Sequence, residues 1–245
     1  MPTIIRQYAA PASFPDTIIL DLEPPIDWGG VVPDGHFRLA KTLNFALNNR
    51  IAAGLDAQLS NGGSYEVDSQ SVSVATGTAL YVPSAANLPL SFMSVFRQTA
   101  GGVNQTLMGN ANTSGGDSAG IGVSSGGNLV ALARAGSTNY AASLPKDGGD
   151  RWEMVVGTFD NRPGAGASIL RLYRPRTGSV AEVTNATLPA SIATHRILGA
   201  SAGTLNQSVR GALSAYWFDR VLAQATIQNM YASVKASLAT SGIDI

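Results

Sequence analysis

A mainly β, two-sheet antiparallel sandwich is the fold this sequence predicts, and three observations carry that expectation. From Ser64 onward, short runs alternate apolar and polar side chains at period two. Glycine pairs punctuate these runs at close intervals, at Gly101-Gly102, Gly115-Gly116, Gly126-Gly127 and Gly148-Gly149. Glu and Lys, the residues that populate solvated helices, are scarce, while Gly, Ala, Ser, Thr and Asn dominate.

Residues 1–32 read as an extended arm for attachment or assembly. Pro2, Pro11, Pro15, Pro24 and Pro25 hold the backbone extended and deny it helix, with room for one strand in Asp16–Leu22. Such an arm either straps onto its own domain or docks on a neighbouring subunit. Residues 33–62 read as a helical linker. Asp34 is a candidate N-cap, apolar residues follow at Phe37, Ala40, Leu43, Leu47 and Ile51, and Gly54 supplies a stop. A short helix near 34–53 is expected, weakened by Asn44, Asn48 and Asn49.

Residues 63–245 carry the sandwich. Strands are expected at 65–68, 71–74, 78–82, 90–97, 105–108, 119–123, 128–134, 152–159, 168–174, 180–183, 196–199 and 209–218. Many short strands with turn chemistry between them mark a sandwich or barrel. Leu222, Ala225, Met230, Val234 and Leu238 then fall on one face of a C-terminal helix, which should pack on the sheets.

Composition narrows the partners. The formal net charge is zero and only 13% of residues are charged, about half the usual share. Three lysines (Lys41, Lys146, Lys235) and scattered arginines give no basic face, so nucleic acid is not an expected partner. The absence of cysteine rules out a disulfide scaffold, a thiolate zinc site and a thiol nucleophile. No apolar run is long enough to span a bilayer, so membrane insertion is not expected. The residues from Met1 to Arg6 lack a basic region leading into an apolar core, which predicts accumulation in the cytoplasm of the producing cell.

The second half carries an ordered set of features. Trp152-Glu-Met-Val-Val-Gly-Thr-Phe-Asp160 leads, through a glycine-rich turn, to Ile169-Leu-Arg-Leu-Tyr173. Arg196-Ile-Leu-Gly199 follows, then Val209-Arg-Gly-Ala-Leu-Ser-Ala-Tyr-Trp-Phe-Asp-Arg-Val-Leu222, and a helix with Ile227 and Tyr231. This order, over residues 88–238, resembles the concanavalin A-like lectin/glucanase superfamily, especially its laminin G-like members. The resemblance implies a jelly-roll sandwich and, by analogy with virion proteins of this fold, a phage tail fibre, tip or surface component. There the domain serves as a receptor- or glycan-binding head held by an N-terminal strap. The arm, the low charge and the missing export signal agree with a virion protein made in the host cytoplasm. Other virion or tail proteins, further copies of the chain and a cell-surface glycan are then the expected partners. A free lectin-like module is the alternative, and a glycoside hydrolase a more distant one.

The acid census argues against hydrolysis. Retaining glycosidases hold two carboxylates roughly 5–5.5 Å apart, and of the four glutamates here only Glu66 is followed two residues on by a carboxylate, in Glu66-Val-Asp68. His36 and His195 lack metal-ligand spacing, and His195 reads as a polar rim residue. Ligand-binding candidates are Asn110, Asn112 and Asp117 in one loop and Asn139-Tyr140 in another, because Asn, Asp and an aromatic suit a sugar. Ordinary turn chemistry is their competing reading. No cofactor is expected, with calcium left open: it wants six to eight oxygens and usually several carboxylates.

Overall fold

The computed structural model describes residues 24–51, 55–60, 62–111, 116–162, 168–184 and 186–245. The arm before Pro24, with the strand expected at Asp16–Leu22, lies outside them. The chain opens with β1 (Gly35–Arg38) and α1 (Leu43–Leu47), then β2 (Gln58–Leu59), β3 (Tyr65–Val67), β4 (Val72–Val74), β5 (Ala79–Val82) and β6 (Ala86–Asn87). Longer strands follow: β7 (Leu90–Gln98), β8 (Gln105–Gly109), β9 (Ser118–Val123), β10 (Leu129–Ala135), β11 (Thr138–Leu144), β12 (Arg151–Asp160) and β13 (Ile169–Arg174). After a 3-10 turn at Pro175–Thr177 come β14 (Ser179–Thr184), β15 (Ser191–Ile192), β16 (His195–Gly199), β17 (Val209–Phe218) and α2 (Gln224–Ala239).

Two antiparallel sheets form the sandwich. The first runs β14-β13-β12-β7-β17-β4-β3, with β1 also paired to β17; the second runs β11-β10-β9-β8-β16-β5-β2. β6 and β15 pair separately. At the centre of the first sheet, β7 and β12 are apolar on both sides because both sides are covered. Phe92, Phe96, Val155 and Phe159 face the core between the sheets, with Leu107, Ile121 and Leu129. Met93, Val95, Met154 and Val156 face outward, where α2 covers them with Ile227, Met230, Val234 and Leu238. At Gly157 the layers come so close that a Cβ would stand 2.4 Å from Ile121 Cγ2.

Residues 24–31 lie along this same covered face. Ile26, Trp28 and Val31 pack on the helix-side cluster. Ser233 Oγ accepts from Asp27 N–H at 2.7 Å, Pro24 O accepts from Ser237 Oγ at 3.1 Å, and Val31 O accepts from Trp217 Nε1 at 2.8 Å.

Three local expectations need correction. The helix near 34–53 is confined to α1, and its cap is Thr42, whose Oγ1 accepts from Phe45 N–H at 3.2 Å. Asp34 instead accepts from Phe218 N–H at 2.7 Å, and Gly35–Arg38 is a strand on β17. Asn49 Oδ1 takes the N–H groups of His36 and Ile51, at 3.1 and 3.0 Å, a side-chain alternative that competes with helix. Second, Asn139-Tyr140 belongs to a strand, β11, rather than a loop. Its inward side chains, Ala142 and Leu144, join the core while its outward ones are polar or small. Third, His195 is fully buried, between Tyr216 and Phe218, because β16 starts inside the sandwich and not at its rim.

Candidate functional site

Four of the five sequence-derived candidates fall at one end of the second sheet; Asn112 lies outside the described residues. Asn110 follows β8 directly, and its N–H donates to Ala119 O at 2.7 Å. Asp117 precedes β9, whose Ser118 pairs with Arg134, which in turn pairs with Asn139. Antiparallel register thus carries the loop residues and the β11 residues onto neighbouring rows. Asn139 and Tyr140, being consecutive in a strand, point to opposite faces.

Asn110, Asp117 and Asn139 lie at the same end of the second sheet, and Asn139 is turned to its outer face. Tyr140 is not: it packs against the core between the sheets, and its hydroxyl meets Thr187 Oγ1 at 3.3 Å, a bond that lowers the phenol below its ordinary value. The other three side chains have partners of their own. Asn110 Oδ1 accepts from Arg196 Nη1. Asp117 Oδ1 accepts from Gly136 N–H at 2.9 Å and so braces the β10–β11 turn, the turn chemistry that competes with ligation. Asn139 Oδ1 faces Arg134 Nη1 at 3.4 Å.

Sequence reasoning missed Arg134, Arg196 and Tyr81. Arg196 is the cross-strand neighbour of Tyr81, whose hydroxyl donates to Gln58 Oε1 at 3.1 Å. Burial lowers the Arg196 guanidinium below its ordinary value. A signal was present: each arginine is the lone charge in an apolar or small-residue strand, Leu129–Ala135 or His195–Gly199, at a position where alternation turns it outward. Next to these polar groups, the polar row of the second sheet, the face carries a small apolar cluster. Ala111 sits so near Gly120 that a Cβ there would stand 2.6 Å from Ala111 N, and Leu205 joins Val130 and Leu132 in a small apolar cluster.

The acid pair Glu66 and Asp68 lies at β3 and the residue after it. Glu66 is exposed, and Asp68 binds the N–H groups of Gln70 and Ser71 and the Arg210 guanidinium. Partial burial pushes Asp68 up, but these hydrogen bonds and the Arg210 charge hold it below the ordinary carboxylate range. Among the described residues no three His, Asp or Glu side chains gather as metal ligands. The described candidates offer one carboxylate, already bonded to Gly136, and two amides turned to arginines; that donor set does not fit calcium. No helix among the described residues is long and apolar enough to cross a membrane.

No protein-family model matches the sequence, and no curated protein matches it. Solved structures do resemble the fold. Domain 4 of AbnA, a GH43 extracellular arabinanase from Geobacillus stearothermophilus solved with arabinotriose, superposes with a TM-score of 0.56 at 14% identity, over 81% of this chain and 97% of that one. A structure of botulinum neurotoxin type C, a toxin that depends on two ganglioside molecules to enter cells, gives 0.53 at 14% identity, over 82% of this chain and 51% of that one. Trypanosoma rangeli sialidase in complex with sialic acid gives 0.53 at 16% identity, over 82% of this chain and 32% of that one. The chain thus spans nearly all of the arabinanase domain but about half of the toxin chain and a third of the sialidase. At these identities the likeness is one of fold alone: a two-sheet β-sandwich.

Proposed function

We propose that this chain is a non-enzymatic binding module whose second sheet receives a glycan. In this reading the residues before Pro24 attach it, as a homo-oligomer, to a virion as a tail fibre, tip or surface component. The observation that carries the reading is the unequal cover of the two outer faces. The first sheet's is sealed by α2 and residues 24–31, whereas the second sheet's carries two neighbouring polar groups, Arg134 with Asn139 and, two residues away in register, Arg196 with Asn110 and Tyr81. Guanidinium, amide and phenol groups supply fixed donors and acceptors for sugar hydroxyls, and none of them needs a metal. Similar folds solved with arabinotriose and with sialic acid support a saccharide as the ligand class. The virion role rests on the Pro-rich arm, the neutral surface and the sequence resemblance.

A glycan array probed with the full chain tests the binding reading. Signal on a subset of saccharides is expected, falling about tenfold when Arg196→Gln and Asn139→Ala are combined, the loss of roughly one charge-assisted hydrogen bond. A blank array, or a signal untouched by both substitutions, defeats it. Hydrolysis of a β-glucan that is lost in Glu66→Gln would replace it with an enzyme.

A further inference from the structure

A cluster of five charged side chains lies on the opposite side of the molecule, where β12 and β13 meet the 3-10 turn beneath α2. Arg174, whose side chain is 5% exposed, presents a two-pronged fork to Asp147: Nη1 donates to Oδ1 at 2.8 Å and Nη2 to Oδ2. Arg176 Nη2 reaches the same Oδ2 at 2.6 Å, and Arg151 also pairs with it. Beneath them Glu153 is fully buried. Its Oε2 accepts from Arg174 Nη2 at 2.8 Å, and its Oε1 stands 3.6 Å from Arg176 Nε.

Three guanidiniums against two carboxylates leave one positive charge. They also leave donors over, since each guanidinium carries five N–H groups and a carboxylate accepts about four hydrogen bonds. Among the described residues Arg174 Nε and Arg151 Nε are buried without an acceptor, and Glu153 Oε1 is buried without a donor. Burial and the like charge of Arg176 lower Arg151 below its ordinary value, with Arg174 adding to the effect and Glu153 opposing it. The local field therefore favours an anion. The two carboxylates differ in kind. Glu153 is fixed in a strand at the centre of the network, whereas Asp147 is 39% exposed on the β11–β12 connection and is followed by Gly148-Gly149. Neither glycine has an atom within 4 Å of where a Cβ would sit.

We propose that Arg151, Arg174 and Arg176 form a binding site for an external oxyanion, with Asp147 as its internal occupant. The fork geometry of Arg174 on Asp147 is the one by which arginine receives any carboxylate or phosphate. Glu153 orients the forks from below. An incoming carboxylate of an acidic sugar, or a phosphate, takes the place of the Asp147 carboxylate and releases the connection between β11 and β12. The site stands apart from the polar row on the second sheet and does not depend on it.

Isothermal titration of the full chain with N-acetylneuraminic acid, galacturonic acid and inorganic phosphate, with galactose as the neutral control, tests this. Asp147→Asn should bind the acids about tenfold more tightly than the native chain, and adding Arg176→Gln should reverse that gain. Binding of the sugar acids identifies an acidic glycan as the source, and binding of phosphate alone identifies a phosphoryl group; either supports the site. No acid bound by a folded Asp147→Asn chain, or a gain unaffected by Arg176→Gln, overturns it. Should Asp147→Asn fail to fold, hydrogen exchange on the native chain decides: residues 145–150 must lose protection when millimolar acid is added, and unchanged protection overturns the proposal. A blank glycan array with a positive result here would defeat only the reading of the second sheet, and the converse outcome only this site.

Discussion

His195 stands with Nδ1 3.2 Å from Ser84 O, which fixes Nδ1 as the donor, and edge-on to Tyr216 and Phe218 at 4.5 and 5.3 Å. Burial brings its pKa down to about 4, against the opposing pull of the Ser84 carbonyl. His36, packed under Trp28, is lowered to about 3 by burial and by the charges of Arg50 and Arg38. Both are neutral in the folded chain and titrate near 6.5 when it unfolds, so the unfolded state binds more protons as pH drops. Their contribution is intact above pH 6.5 and erodes below it, down to about 4 for His195 and about 3 for His36. Each group costs about 1.4 kcal/mol per pH unit in its window. Urea unfolding at pH 5 should therefore show about 4 kcal/mol less stability than at pH 7. His195→Phe, which keeps the ring packing, should remove about half of that pH dependence; an unchanged slope would refute the assignment. Composition alone reveals two histidines, but not their burial, because that depends on which strand end starts inside the sandwich. The same holds for Asp117: its identity suggested a ligand, and only the β10–β11 turn shows where its oxygen is used.

The elements were most legible where a strand or helix faces apolar surroundings. β7, β12 and β17 have apolar residues on both sides because α2 covers one of them, and α2 has its own stripe at Ile227, Met230, Val234 and Leu238. Burying that stripe holds a helix that begins at Ala223 without a side-chain cap. Met230→Ala, at a fully buried position, should cost about 2–5 kcal/mol in denaturant unfolding. A loss well under 1 kcal/mol would mean that the helix docks too loosely to seal the sheet. Two elements were illegible for definite reasons. β1 follows Pro33-Asp34, a helix-start signal, but its partner is β17, nearly two hundred residues away, and local pattern carries no trace of that pairing. β11 has a polar and small-residue outer face on an edge strand, so its alternation between Tyr140, Ala142 and Leu144 is faint against a background of Ala, Ser and Asn. The polar row suffered with it, because its members meet through strand register and not through sequence spacing.

At the scale of the whole molecule, the first sheet's outer face is covered by α2 and residues 24–31, and in the proposed function the second sheet's receives the ligand. Pro24 lies against Ser237 on the C-terminal half of α2, on the covered face. If residues 1–23 assemble copies of the chain or bind a neighbouring virion protein, two truncations should separate assembly from folding. Removing residues 1–23 leaves every described residue in place, so light scattering should report loss of the multimer with no change in melting temperature. Removing residues 1–33 also strips Trp28 from Trp217, 5.7 Å away, and uncovers the Trp217 indole N–H that Val31 O now accepts. That leaves a large apolar surface and a polar group without its partner, a combined loss of about 3–5 kcal/mol, so the melting temperature should fall as well. A multimer that survives the shorter deletion would place assembly in the sandwich itself, and the open edges of β14 and β3 would be where to look for it.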